Sequence, residues 1–156
     1  MPITVTAPQG ELTEAGRREI LPRLTTALVE ASGAASNPFL TGIIGGTVQV
    51  LDPADIYAGG RRSRLVMVEL KLPNIGLPEP AGRAAFIAAA TDIVDALTVD
   101  DHGRADTWVN ILNAPDGGWG LGGVAYTGEA LVAAVIDAAR TAGEESVAQD
   151  VVAADA

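Results

Sequence analysis

The stretch DGGWGLGGVAYTG, Asp116 to Gly128, admits two readings that lead to different folds. Gly118, Gly120 and Gly123 match G-x-G-x-x-G, with a β-like run before them and a helix-like run after. A dinucleotide fingerprint needs an early strand, glycines that open the helix directly, and an acidic residue about 20 positions on, at the end of another strand. Here the motif lies near the end of the chain, and the helical pattern opens only around Thr127, after Val124-Ala125-Tyr126. Glu144 and Glu145 lie at about the right distance but in a polar tail, with no strand pattern before them. The second reading is a glycine-rich turn that follows an aromatic residue. Its glycines would supply positive φ, and its aromatic would stand beside a cavity or the core.

The rest of the chain favours the second reading, because the same arrangement occurs earlier. Asp55-Ile56-Tyr57-Ala58-Gly59-Gly60 also sets an aromatic and a glycine pair after a strand pattern. The two halves can be laid over each other. Pro8 aligns with Pro73, Glu14–Arg17 (EAGR) with Pro80–Arg83 (PAGR), Val48–Asp52 with Val109–Asn113, and Tyr57 with Trp119. Alternation and β-branched residues predict strands over Pro2–Ala7, Gly45–Asp52, Arg64–Pro73 and Asp106–Asn113. A helix capped by Thr13 carries Ile20, Leu21, Leu24, Ala27, Leu28 and Ala31 on one face. Pro22 falls inside that pattern, where an interior proline costs about 3 kcal/mol, so a kink or restart is expected there. A second helix runs from Glu79 to Leu97, and a third, capped by Thr127, carries Leu131, Val132, Val135 and Ile136.

The expected fold is therefore α/β in two layers. Duplicated β-α-β blocks, about 2–60 and 64–123, form a four-stranded mixed sheet with two helices on one face and a C-terminal helix added. One domain is expected over 1–142, with an acidic, alanine-rich tail over 143–156 that is frayed or packed on a partner.

Composition removes several classes of function. The 156-residue chain is 48% hydrophobic but only 4% aromatic, so its core must be built from Val, Ile, Leu and Ala. A formal net charge of −10 argues against nucleic acid as a partner. The absence of cysteine excludes disulfides, thiol catalysis and cysteine–zinc sites. Charges occupy the start of the chain where a secretory leader needs an apolar core, and no run approaches the ~18 apolar residues of a membrane span. A cytoplasmic protein with no membrane partner is expected. No His or carboxylate cluster has metal spacing, and no cofactor is expected.

Pro2 is the residue with chemical potential. In place it is a strand start that needs no donor. With Met1 removed, its nitrogen becomes a secondary amine. Burial beside apolar walls would lower the pKa of that amine towards neutrality, making it a general base whose conjugate acid can return the proton.

Met1-Pro2-Ile3-Thr4-Val5, the duplicated β-α-β order and Gly118–Gly123 (GWGLGG) together resemble the tautomerase superfamily, over nearly the whole chain to about Leu131. That superfamily includes 4-oxalocrotonate tautomerase, macrophage migration inhibitory factor, malonate semialdehyde decarboxylase and the 3-chloroacrylic acid dehalogenases. The resemblance implies a homotrimer of two-block subunits acting on a small molecule, with Pro2 as catalytic base or acid and Trp119 in an apolar wall of the site.

The sequence departs from the family pattern at its substrate-binding arginines. The loops that would carry one read Pro8–Leu12 (PQGEL) and Pro73–Leu77 (PNIGL), and the other position falls on Thr47 or Trp108. Asn110 stands where one dehalogenase branch has a tyrosine. Dehalogenase, hydratase and decarboxylase activities are thus weaker expectations than keto–enol tautomerisation of a small oxo acid. A trimeric binding or scaffold protein that lost the chemistry is the alternative. Candidate substrate-binding residues are Trp119, Trp108, Asn110, Tyr57, Phe39, Arg62 and Arg64. The Arg61–Arg64 cluster is either solvated loop charge or a replacement anion site, reached across a subunit interface. His102, in Asp101-His102-Gly103, is expected to be a solvated turn residue.

Overall fold

Four strands form one mixed sheet in the order β2-β1-β5-β6: β1 (Pro2–Pro8), β2 (Gly45–Leu51), β5 (Val66–Leu72) and β6 (Thr107–Asn113). The coordinates are a computed structural model that describes residues 1–33 and 37–154, with side chains to residue 143. β1 runs parallel to β2, and β5 parallel to β6, so each β-α-β block contributes one parallel pair. The blocks join through the antiparallel β1–β5 contact, in which Ile3 faces Leu70 and Thr6 faces Met67. The expected two-block architecture is what the chain adopts.

Alternation decides what the two central strands bury. Ile3, Val5 and Ala7 of β1 and Val68, Leu70 and Leu72 of β5 point to one face and are buried. Over that face lie α1 (Glu14–Ala31), with Ile20, Leu24 and Leu28 buried, and α3 (Pro80–Leu97), with Phe86, Ala90 and Val94 buried. The other face carries Pro2, Thr4, Met67, Glu69 and Lys71 from these strands, with Trp108, Asn110 and Leu112 of β6 exposed beside them. Gly16 lets α1 approach the end of α3. A Cβ there would stand 2.3 Å from the Leu97 carbonyl oxygen.

Thr13 caps α1 as expected, accepting from the Gly16 N–H. The break expected at Pro22 does not occur, and α1 is continuous through it. Pro22 and Arg18 are both exposed, so water can solvate the Arg18 carbonyl that proline leaves without its i+4 donor, while Ile20, Leu24 and Leu28 hold the helix down.

Each block ends in a small hairpin. β3 (Tyr57–Ala58) pairs with β4 (Arg61–Arg62) around Gly59-Gly60, and β7 (Trp119–Leu121) pairs with β8 (Val124–Tyr126) around Gly122-Gly123. All four turn glycines have positive φ, 57° and 77° in the first hairpin and 59° and 84° in the second, as a two-residue primed turn demands. The glycine-rich stretch is therefore a hairpin and not a strand-to-helix phosphate turn.

A short helix, α2 (Pro38–Gly42), occupies what reads in sequence as a loop. Asn37 caps it by accepting from the Leu40 N–H. The last helix, α4, runs Gly128–Ala154, so the tail is helical backbone to Ala154. Its side chains from residue 144, including Glu144 and Glu145, and residues 155–156 lie outside the described residues. Among the described residues, no helix is long and apolar enough to cross a membrane.

Candidate active site at the start of β1

A cavity of about 510 Å³ opens where β1 begins. Met1 lines it. Opposite stand Leu131, Val132, Val135 and Ile136, the apolar face of α4. A third wall is the loop between β5 and α3, including Ile75, Leu77 and Glu79, and Leu40 of α2 closes the rim. Among the described residues, Glu79 is the only lining residue with an ionisable side chain, and no Lys, Arg or His lines the space.

The walls are firmly held. Asn113 at the end of β6 donates to the carbonyls of Pro73 and Gly76, at 2.9 and 2.7 Å. Arg83 in the first turn of α3 donates to the carbonyls of Leu77 and Pro78. Leu77 itself adopts φ 47°, a left-handed conformation rare outside glycine, and buries its side chain. Asp116 ties the loop to α4, accepting from the Asn74 amide and the Gly128 N–H. Asn37 fixes α2 to α4 by donating to the Val135 carbonyl at 2.9 Å.

Met1 is buried although it is terminal. Its amino group donates to the Ile43 carbonyl, and its own carbonyl accepts from Gly45 N–H. Burial lowers the pKa of this amine below its ordinary value, because desolvation disfavours the charged form. Pro2 follows, exposed on the open face of the sheet, with its nitrogen bonded to the Met1 carbonyl carbon.

The predicted binding residues do not converge on this cavity within one chain. Trp108 and Asn110 share the open sheet face with Pro2, but on β6, two strands away and therefore roughly 10 Å across. Tyr57 and Arg62 are cross-strand partners on the first hairpin, both exposed. Trp119 is half-buried on the second hairpin, its ring 5.6 Å from that of Tyr126 at 55°. Phe39 is half-buried against the core, and its neighbour Leu40 is the α2 residue that reaches the cavity. Leu40, Arg83 and Asn113 were not singled out in the sequence, whereas Pro73–Leu77 was read as a loop without its expected arginine and Met1 only as a residue to be removed. The apolar face of α4 was read there only as a helix face. The loop's length and its Asn and Pro residues say "turn" but not what it faces.

Arg64 belongs to a different cluster. Glu11 is buried and accepts from Arg64 Nε at 3.0 Å and from His102 Nδ1 at 2.6 Å. Asp101 takes the far side of the guanidinium at 2.7 Å. These hydrogen bonds, first Asp101's and then Glu11's, hold the Arg64 pKa above its ordinary value, and Arg64 holds the Asp101 carboxyl below its own. Antiparallel pairing puts this cluster at the opposite end of β5 from Pro2, roughly 20 Å away at about 3.3 Å per residue. His102 is not solvated. Its ring is 1% exposed, with Nε2 3.0 Å from Thr107 Oγ1. The turn that carries it folds inward because Val99 N–H donates to the Glu11 carbonyl. Among the described residues, no group of three or more His, Asp or Glu side chains is disposed to hold a metal ion.

No family model and no curated protein matches this sequence. Solved structures do. A fused 4-OT wild type asymmetric trimer superposes with TM-score 0.67 at 26% identity, over 84% of this chain and 98% of that one. The fold is that of the tautomerase superfamily. A member of the cis-3-chloroacrylic acid dehalogenase family is similar at TM-score 0.66 and 15% identity, covering 83% of this chain and 87% of that one. A malonate semialdehyde decarboxylase inhibited by 3-bromopropiolate is similar at TM-score 0.59 and 20% identity, over 78% and 89%. Relative to the tautomerase pattern, the position of this cavity is informative. The loop for which the sequence resemblance implied an arginine lines it, with Ile75, Gly76 and Leu77.

Proposed function

We propose that this chain, once Met1 is removed, is a keto–enol tautomerase of small oxo acids that works through the secondary amine of Pro2. The carrying observation is the apolar cavity at the start of β1 with Met1 in its wall. Cleavage of Met1 leaves the proline nitrogen at the edge of a space that already desolvates an amine. Neutral Pro2 accepts the enol hydroxyl proton, the electron pair moves to the α carbon, and the prolinium delivers a proton there to give the ketone. The reverse direction uses the same two steps. Structural neighbours named for tautomerase, dehalogenase-family and decarboxylase proteins support an enzyme.

The assembly is a homotrimer, supported by the trimeric neighbours. Trp108, Asn110, Tyr57, Arg62 and Trp119 lie on exposed strands and hairpins, from which a neighbouring copy would bring them to a Pro2 site. Trp119 and Trp108 then shape the apolar wall, and Asn110 and Arg62 orient substrate oxygens. Phenylenolpyruvate ketonisation by Met1-free protein tests the activity. Pro2→Ala lowers kcat/KM at least about 100-fold if Pro2 is the acid–base group, and unchanged activity rejects that role. Malonate semialdehyde and the 3-chloroacrylates, assayed in parallel, separate tautomerase from decarboxylase or dehalogenase.

A non-catalytic binding protein is favoured by one observation: Met1 fits its place, with its side chain buried and its amine hydrogen-bonded. A proline nitrogen acylated by methionine is an amide and has no basic lone pair. Intact mass of the protein from its native host decides between the two, since retained methionine leaves only the binding role.

A further inference from the structure

We propose that Lys71 is the anion anchor of the Pro2 site, and that the site therefore takes monoanionic 2-oxo acids with an apolar tail. This rests on the Pro2 reading above. Lys71 is the only lysine in the chain. The β1–β5 register pairs Thr4 with Glu69 and Ile3 with Leu70, which sets Lys71 opposite Pro2 on the next step. Both residues are exposed on the open sheet face. Directly opposed residues have Cβ atoms about 4.5–5.5 Å apart, so an ammonium on a four-carbon stem reaches the space around the proline nitrogen. The row continues with Gly45 on one side and Leu112 on the other, neither of which competes for the charge.

Other cations are placed or engaged elsewhere. Arg64 is bound to Glu11 and Asp101 at the far end of the sheet, and Arg83 in the first turn of α3 is tied to the Leu77 and Pro78 carbonyls. Among the described residues, Lys71 makes no ion pair and no side-chain hydrogen bond. Glu69 lies two residues back on the same face, Glu79 in the cavity wall, and Asp116 and Glu129 beside Ile75; β1, β2 and β6 present no titratable side chain to that face.

Substrate orientation follows. The carboxylate lies on Lys71 and the reacting carbon at Pro2, both on the open face, and the tail turns past the start of β1 into the cavity lined by Leu77 and Val135. A second carboxylate would enter an apolar space whose one charged side chain is Glu79, so dicarboxylates are disfavoured. The ammonium has a second effect: a neighbouring positive charge disfavours the prolinium and keeps the base neutral.

The test uses Met1-free protein and two alkylating probes, anionic 2-oxo-3-pentynoate and neutral 3-butyn-2-one, with the modified residue found by peptide mass. Lys71→Gln should slow modification of Pro2 by the anionic probe at least about tenfold relative to the neutral one, and Lys71→Arg should restore the ratio. The pH midpoint of neutral-probe modification should rise in Lys71→Gln. An unchanged ratio and midpoint, with Pro2 modified normally, overturn the Lys71 assignment alone. Modification elsewhere than Pro2, or none in the wild type, overturns the Pro2 reading and the anchor with it.

Discussion

Pro2 and His102 show how differently the two ends of β1 are built. At the Pro2 end, burial pushes the pKa of the Met1 amine down, and in the proposed Met1-free site the Pro2 amine takes its place beside the same apolar cavity. For a base, the neutral form is active. The kcat/KM for phenylenolpyruvate should therefore climb as pH rises through the prolinium pKa, with its midpoint below that of an exposed proline amine. A pH–rate profile of Met1-free protein checks this, and the Met1-retaining form should show no such limb. At the other end, Glu11 and His102 are buried as a pair, with Arg64 on the second carboxylate oxygen. Because a carboxylate only accepts, His102 Nδ1 is the donor. His102→Leu would leave one Glu11 oxygen buried without its donor, which costs about 1–3 kcal/mol. Urea denaturation should show this as a lower midpoint at unchanged slope. Nothing near His102 in sequence announces it, since its partner lies in the loop after β1.

At the scale of elements, much was legible. The four sheet strands, helices α1 and α3, the start of α4 and the Thr13 cap follow from period and capping chemistry. The paired glycines told of turns with positive φ, and the structure makes each the tip of a hairpin. Pro22 misled because its cost depends on what surrounds the freed carbonyl, and here that is water. The β5–α3 loop was read as a site loop that lacks its expected arginine, but not as a wall held by Asn113 and Arg83. Leu77 in this loop sets two effects against each other. Its positive φ costs about 1–2 kcal/mol, whereas deleting a buried leucine side chain costs about 2–5 kcal/mol. Leu77→Gly should thus be net destabilising, with a lower thermal midpoint. A more stable variant would show that the strain outweighs the packing.

For the whole molecule, the sheet ends in two open edges, β2 and β6, and its uncovered face carries Trp108 and Leu112, 48% and 52% exposed. Leu121 and Val124 at the second hairpin are 48% and 57% exposed. Open edges and apolar tips are a liability for a monomer and are resolved by association. Light scattering should give a particle three times the 15.9 kDa chain. The double variant Leu121→Asp, Val124→Asp should shift it towards monomer and depress activity with it if, as proposed, the hairpins of a neighbouring copy complete each site. A fully active monomer would remove the trimer from the mechanism.

By itself the sequence determined the duplicated β-α-β order, the hairpin glycines and the chemical singularity of Pro2. These are local properties, set by period, backbone sterics and bond type. Only the tertiary structure decided that Met1 lies in a cavity wall, that α4 supplies the opposite wall, and that Lys71 stands across from Pro2 while Arg64 is tied to Glu11. Those facts depend on strand register and on contacts between residues far apart in the chain, which no local pattern encodes.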